Sequence, residues 1–513
     1  MNLTRPLFRN THTAMNATEA LRRAARRWPE REALSDGRER IAFGPLDARV
    51  NRLAAHLVRA GIMPGDRVAT YLPNSIPHVV AQQAILRAGA VWVGVNRRLA
   101  PPEVAFMLEH AHVRIVLADR DGLGAASAGP SVERVLDVSG GDAALERRLA
   151  SEAASAPTRL PSEHDVARLR YTSGTTGRPK AAVLTHASAL ASLRTLLAEL
   201  HELGAADTAA HVAPLTHASE ALLQPAFWRG ARSILCSEFD PDAFRELIAR
   251  ERVTMLFLVP TMIASLVDGT RRREDVASLR TLVYGAAPIP DDVLVRSLDV
   301  LGPVLLQIYG LSECPFPITT LRKEDHAEPL RRGSCGLPTA QNEVEVLDPD
   351  GRPLPPGEVG TIAVRGPQLM REYWNDPDAT ATALVDGWLR TGDLGRVDDA
   401  GFLTLVDRSD DVIISGGFNV YPREVEVVLE AHPAIAEAAV VGIPHARWGR
   451  GVAAWVVCKP SATAREDELI DFCRARLAGY KKPLQVTFVE SLPKSSTGKL
   501  LRRMLRPETP GRG

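Results

Sequence analysis

The chain has 513 residues, 62 Lys plus Arg against 62 Asp plus Glu, a formal net charge of zero and 45% hydrophobic residues. That length exceeds one compact domain and excludes a small stapled scaffold; the balanced charge argues against a broad basic surface for nucleic acid, and the hydrophobic content against bulk disorder. Cys236, Cys314, Cys335, Cys458 and Cys473 show no CxxC spacing, so neither a disulfide framework nor a zinc module is expected, and a reducing, cytoplasmic setting is.

In chain order, residues 1–18 carry Arg5 and Arg9 but no apolar h-region, which predicts a loose tail and no secretory signal. Asn16 with Glu19 predicts a capped amphipathic helix stopped by Pro29, and Asp36-Gly37 predicts a hairpin turn. Residues 68–72, 77–87 and 90–95 read as strand, helix and strand, a βαβ rhythm. The strand-to-loop pattern recurs at 253–259, 281–284 and 304–309, and open α/β sheets place ligands at such strand ends. No apolar run nears the roughly 20 residues of a membrane helix, so no integral membrane segment is expected. After Gly333, short alternating strands (344–347, 360–364) with turns at Asp350-Gly351 and Pro356-Gly357 predict a small β-rich subdomain. Beyond Asp407 come a helix (422–431), strands (438–441, 453–457), a helix (466–477) and a strand (486–489), a compact α+β unit. The expected fold class is mixed α/β: a large N-terminal domain of layered α/β sheets with the β-rich subdomain (1–407), then a small α+β C-terminal domain (408–513).

Only seven of the 62 basic residues are lysine, and where Arg is the default cation a Lys marks a place needing a compact ammonium. Lys180, Lys494 and Lys499 fall in Gly/Ser/Thr-rich loops. The run Thr172-Ser173-Gly174-Thr175-Thr176-Gly177, closed by Pro179 and Lys180, offers successive backbone NH groups, hydroxyls and one ammonium to a polyphosphate. It is not the GxxxxGK[ST] loop, because Pro179 and Ala181 stand where that pattern requires Gly and Ser or Thr. A plain Ser/Thr/Gly linker is the rival reading, and the closing Pro and Lys weigh against it.

This run resembles the signature of the adenylate-forming superfamily, which includes acyl-CoA synthetases, aryl-CoA ligases, firefly-type luciferases and peptide synthetase adenylation domains. Further matches follow in the family's order: Pro214-Leu215-Thr216-His217, Tyr284-Gly285-Ala286-Ala287-Pro288, Tyr309-Gly310-Leu311-Ser312-Glu313, Trp388-Leu389-Arg390-Thr391-Gly392-Asp393, Asp407-Arg408-Ser409-Asp410-Asp411, the run from Ser415 through Gly416 and Gly417 to Pro422, and the run from Pro493 to Lys499. Two departures are conservative: Ala181 replaces a Gly, and Ser312 a Thr with its hydroxyl kept. Before Tyr171 the resemblance is one of texture only.

The resemblance implies two steps, with ATP, Mg²⁺ and coenzyme A. A carboxylate attacks the ATP α-phosphorus, pyrophosphate leaves, and the CoA thiol then attacks the acyl-AMP. The carboxylate is already ionised near neutrality, so adenylation calls for charge neutralisation and positioning rather than a general base. On this reading Lys499 bridges carboxylate and α-phosphate, and Lys180 with Thr172, Ser173, Gly174, Thr175, Thr176 and Gly177 holds the departing phosphates. Glu313 holds Mg²⁺, Ser312 reaches the α-phosphate, Asp393 and Arg408 bind the ribose, the Tyr309 ring with Gly310 meets adenine, and Gly285, Ala286 and Ala287 form the nucleotide-side turn. His217, Ala218, Glu220 and Leu311 line the acyl pocket, with His217 as its gate. Cys314 is expected to be a packing residue. Lys499 must withdraw after the first step, so the C-terminal domain is expected to move about Asp410, with Gly416 and Gly417 along the path of the CoA arm.

The resulting expectation is an AMP-forming acid:CoA ligase acting on an apolar fatty or aryl monocarboxylic acid. Glu220, if it points inward, would disfavour a second carboxylate. A carrier-protein thiol or an amine is the alternative acceptor, and no fused carrier is read in residues 500–513 after the last motif, which end in the tail 507–513. Luciferase-like oxidation has no residue specifying oxygen chemistry. A non-catalytic nucleotide-binding regulator is the alternative of another class, disfavoured by the intact Lys180, Glu313, Asp393 and Lys499. The oligomeric state, a homodimer included, stays open.

Overall fold

The computed structural model describes residues 15–127, 129–140, 143–152, 154–155, 157, 160–172, 179–217, 219–270, 273–408, 411–415, 418–445, 449–494 and 500–505. Ser173, Gly174, Thr175, Thr176, Gly177, Ala218, Asp410, Gly416, Gly417 and Lys499 lie outside the described residues.

Short β-branched runs bounded by Gly, Pro and Asp build two large sheets. One runs in the order Glu372–Tyr373, Lys180–Thr185, Val166–Thr172, Val91–Gly94, Arg67–Tyr71, Val113–Ala118 and Arg134–Asp137. Within it Arg67–Tyr71 pairs parallel with Val91–Gly94 across the helix Ile76–Arg87, the expected βαβ unit. Ser75 starts that helix, its hydroxyl accepting from the His78 amide, with Pro77 in the first turn. The other sheet has a parallel centre, Leu305–Tyr309, Thr281–Gly285, Met255–Leu258, Thr208–His211, Arg232–Leu235 and Glu32–Ser35. Its far edge is Arg40–Ala42, joined to Glu32–Ser35 by the expected hairpin, where Gly37 takes a φ of +80°.

The first helix differs from expectation. It spans Glu19–Arg27 and follows Thr18, while Asn16 is buried and its Oδ1 accepts from the Thr18 amide and hydroxyl. The Asn closes a local turn ahead of the helix instead of capping it. Farther along, the helices Phe43–Arg59 and Ile76–Arg87 are tied by wholly buried Arg87, whose Nη1 donates to Asp47 Oδ1 and Asn51 Oδ1, each at 2.7 Å.

A β-rich unit follows, ordered Glu343–Leu347, Gly360–Arg365, Trp388–Val397, Leu384–Val385, with Leu403–Arg408 also paired to Trp388–Val397. In the C-terminal unit Gly449–Cys458 pairs with Ile435–His445, Ile413–Ser415 and, in parallel, Gln485–Phe488. The helices Pro422–Glu430 and Glu466–Arg474 cover this sheet, and Val425, Leu429, Leu469 and Cys473 share a core with Ile413, Val440 and Val456. The architecture is therefore the expected mixed α/β body with a small α+β unit after it. Among the described residues no helix is long and apolar enough to cross a membrane.

Candidate active site

Val166–Thr172 and Lys180–Thr185 are antiparallel neighbours with Thr172 opposite Lys180, so residues 173–179 connect two strands whose ends are fixed side by side. Lys180 Nζ sits 5.3 Å from the centroid of the Tyr373 ring, a cation–π contact, and makes no ion pair among the described residues. Lys494, the other described loop lysine, is paired with Glu437 at 2.7 Å. Tyr373 reaches Lys180 because Glu372–Tyr373 adds to the sheet edge opposite Val183 and Ala182. Its hydroxyl donates to Glu313 Oε1 at 2.8 Å. Burial first, then the Glu313 carboxylate, raise the Tyr373 pKa, so the phenol keeps its proton as donor.

Glu313 itself stands in a turn after Leu305–Tyr309, where the Leu311 amide donates to the Cys314 carbonyl at 3.0 Å and Ser312 is half-buried. Cys314 is fully buried, as a packing residue should be. A Cβ on Gly310 would lie 2.8 Å from the Phe316 ring, so the turn closes only with Gly there. Leu311 packs against the cluster of Ala182, Leu184 and Met370.

A second carboxylate sits beside the first strand's end. Asp393 lies opposite Arg408 in the antiparallel pair Trp388–Val397 and Leu403–Arg408, and Arg408 Nε donates to its Oδ1 at 2.8 Å. The Tyr309 hydroxyl donates to Asp393 Oδ2 at 2.5 Å. Burial opposes the Arg408 charge, but nearby acidic groups, Asp393 first, outweigh it and raise its pKa. Arg408 thus holds Asp393 beside the carboxyl end of Leu305–Tyr309, and Glu313 follows four residues after Tyr309. The parallel neighbour Thr281–Gly285 ends in the Gly285-Ala286-Ala287 turn, where a Cβ on Gly285 would lie 2.3 Å from the Ile308 carbonyl. Ala286 holds a φ of +68°, left-handed backbone that costs a non-Gly residue energy and so marks a fixed turn.

His217 is half-buried, with Nδ1 2.9 Å from Thr216 Oγ1. Burial, then the neighbouring Arg170, lower its pKa to about 4, so the imidazole is neutral near pH 7. Glu220 opens the helix Glu220–Arg229, accepts from Gln82 Nε2 at 2.9 Å and forms an ion pair with Arg168 Nη1. It lines a cavity, and its charge is compensated by Arg168, so the unpaired inward charge on which it would disfavour a second carboxylate is not present. This cavity, ≈ 50 Å³ of free volume, lies between Val166–Thr172 and the helices His186–Glu199 and Glu220–Arg229. Residues 285–287 and His217 do not line it.

Two candidate residues escaped the motif reading. Tyr373 stands in Arg371-Glu372-Tyr373-Trp374, outside any Gly-rich box, and reaches the site only through sheet pairing. Arg170 carried a signal that was present in the sequence: Arg168 and Arg170 alternate in an otherwise apolar strand leading into the Ser/Thr/Gly-rich run.

With this geometry in place, likeness to known proteins decides the family. Residues 21–374 match the family described as AMP-binding enzyme, and residues 424–499 match its C-terminal domain. The chain belongs to the AMP-binding enzyme family. It is 39% identical to a feruloyl-CoA synthase of an Amycolatopsis species over 94% of this chain and 97% of that one. It is 36% identical to the long-chain-fatty-acid–CoA ligase FadD13 of Mycobacterium tuberculosis, covering 91% of this chain and 93% of the relative. ATP-bound MatB from Rhodopseudomonas palustris superimposes with a TM-score of 0.88 at 32% identity, over 96% and 98% of the two chains. Within the AMP-binding family, a chain with full-length likeness to CoA ligases is an AMP-forming acid–thiol ligase, and CoA is its acceptor.

Proposed function

We propose that this ligase activates its acid at the cleft bounded by Lys180, Glu313, Asp393 and Arg408, and that the acid has an apolar aryl or fatty body. The observation that carries the reading is a pair of contact chains at the end of one strand, Arg408 and the Tyr309 hydroxyl on Asp393 and the Tyr373 hydroxyl on Glu313, with the Lys180 ammonium over the Tyr373 ring and in no ion pair among the described residues. An unpaired ammonium suits departing phosphates. Asp393 keeps lone pairs for the ribose hydroxyls while Tyr309 and Arg408 fix its orientation. Tyr309 is then a positioning residue as well as an adenine-facing ring. Glu313 fits Mg²⁺, which takes one or two carboxylates and otherwise phosphate and water oxygens and supplies charge neutralisation at the phosphates; no cluster of three metal-ligating side chains exists among the described residues to compete.

The roles of Ser173–Gly177, Lys499, Asp410, Gly416 and Gly417 are proposed on motif position alone. A domain boundary near Asp410 is supported by the gap between the two family matches, which end at 374 and resume at 424. Asp407 holds both sides of it, its Oδ1 accepting from the Arg408 amide and its Oδ2 from the Arg423 amide, each at 2.8 Å. The names of the relatives, one aryl and one long-chain, support an apolar acid body. All five cysteines are free, which supports a cytoplasmic setting.

The test is a pair of partial reactions. With ATP, Mg²⁺ and a competent acid but no CoA, the enzyme should release one pyrophosphate per active site and retain acyl-AMP; added CoA should give continuous turnover to thioester and AMP. Thioester formation with no pyrophosphate burst before CoA would contradict the two-step reading.

A further inference from the structure

Two side chains of opposite charge stand in the cleft without meeting. Lys180 and Glu313 are both half-buried, and neither forms an ion pair among the described residues. Unlike charges attract more strongly where water is partly excluded, and a lysine stem is long and flexible. What stands at both groups is one aromatic side chain. The Lys180 ammonium lies over the Tyr373 ring, 5.3 Å from its centroid, and Glu313 Oε1 accepts from the Tyr373 hydroxyl at 2.8 Å.

The backbone fixes Tyr373 at this place from both sides. The Met370 amide donates to the Glu313 carbonyl at 2.7 Å, which ties the segment to the turn carrying the carboxylate. The Arg371 and Trp374 amides donate to the Val183 and Ala181 carbonyls, each at 2.8 Å, which ties it to the strand that begins with Lys180. The Trp374 indole donates to the His110 carbonyl at 3.1 Å, and the Tyr373 amide to Thr380 Oγ1 at 2.9 Å. Residues 370–374 thus form one strap across the two elements that bear the charges, and Tyr373 gives its ring to one charge and its hydroxyl to the other.

The chemistry of a phenol suits that position. A direct pair between Lys180 and Glu313 would neutralise both, leaving less positive charge for phosphate oxygens and fewer carboxylate lone pairs for a metal. A ring face attracts an ammonium without cancelling its charge. A single hydroxyl donor occupies one of about four lone-pair sites on a carboxylate and leaves the others open.

Resting on the ligase reading above, we propose that Tyr373 is a positioning residue that keeps Lys180 and Glu313 from neutralising each other, so that before substrates bind the ammonium stays available to pyrophosphate oxygens and the carboxylate to the metal.

The experiment measures the Kd of metal-free pyrophosphate by titration calorimetry on the full chain. Tyr373→Phe, which keeps the ring, should stay within twofold of the natural enzyme. Tyr373→Leu should bind at least fivefold more weakly, with Tyr373→Met taking its place should the leucine variant fail to fold. Glu313→Gln should then strengthen binding at least threefold more in the Leu background than with Tyr373 present, because only there does the carboxylate hold the lysine. A residue that merely supports the fold would lose affinity in Tyr373→Leu without that extra gain. An equal gain in both backgrounds, Phe as weak as Leu, Leu as tight as the natural enzyme, or a natural enzyme with no affinity for metal-free pyrophosphate would overturn the proposal while leaving the ligase intact. Absence of pyrophosphate release from ATP with every acid tried would overturn the ligase reading as well.

Discussion

At the scale of single residues, the cleft is a set of charges whose partners are already chosen, and the consequences differ from one side chain to the next. Asp393 receives Tyr309 and Arg408 at its two oxygens. A charge-assisted hydrogen bond contributes about 1.5–3 kcal/mol, so Asp393→Ala should raise the KM for ATP by roughly tenfold to a hundredfold. Steady-state kinetics with ATP varied and acid saturating checks this, and an unchanged KM would remove Asp393 from the nucleotide site. Tyr373→Phe keeps the ring under Lys180 but deletes the donor to Glu313. It should weaken the response to Mg²⁺ more than to the acid, seen as a higher Mg²⁺ concentration for half-maximal rate. Glu313, Asp393, Arg408 and Lys180 were legible because each sits in a dense motif. Tyr373 was not, because two residues of edge strand carry no periodicity and its place depends on pairing with a strand about 190 residues earlier in the chain. That Glu220 is neutralised was not legible, since its partner Arg168 lies 52 residues away.

At the scale of elements, sheets with parallel centres set strand ends side by side, and the turns after Gly285 and Tyr309 inherit that placement. The strands read at 68–72, 90–95, 253–259, 281–284 and 304–309 fall within a residue or two of those observed, because burial on both faces leaves little else they can be, whereas Val113–Ala118, Thr208–His211 and Arg232–Leu235 were not read. The start of the first helix was misread: Asn16 and Glu19 have capping-box spacing, yet Thr18 takes the Asn side chain and the helix begins at Glu19. Between helices the governing contact is Arg87 with Asp47 and Asn51. Asp47→Ala strands a guanidinium that is fully buried, and should destabilise the protein by about 2–4 kcal/mol, measured by urea unfolding. A loss below 0.5 kcal/mol, on the order of an ordinary surface substitution, would show that the pair contributes nothing to joining those helices.

At the scale of the whole molecule, two properties emerge that no single element carries. The first is an acid limit on stability. Burial lowers His78, His186, His211 and His217 to about 4 from the ordinary 6.5. Between those values the unfolded chain binds protons that the folded chain refuses, so their contribution is fully present above about pH 6.5 and is lost as pH falls toward 4. The unfolding midpoint should therefore drop on going from pH 7.5 to 5.5; a flat profile would contradict buried neutral imidazoles. The second is the proposed division of labour between the large body and the C-terminal unit, which rests on the hinge motif and the last motif of the sequence. If Lys499 closes on the nucleotide for the first half-reaction and withdraws for the second, the two halves must respond oppositely to two substitutions. The decisive measurement is both half-reactions, pyrophosphate release and thioester formation from supplied acyl-AMP, in Lys499→Ala and Asp410→Pro. Lys499→Ala should lose acyl-AMP formation by at least ~100-fold, the scale for removing one preorganised charge contact, while still making thioester; Asp410→Pro should do the reverse. Normal adenylation by Lys499→Ala would contradict the account at its centre.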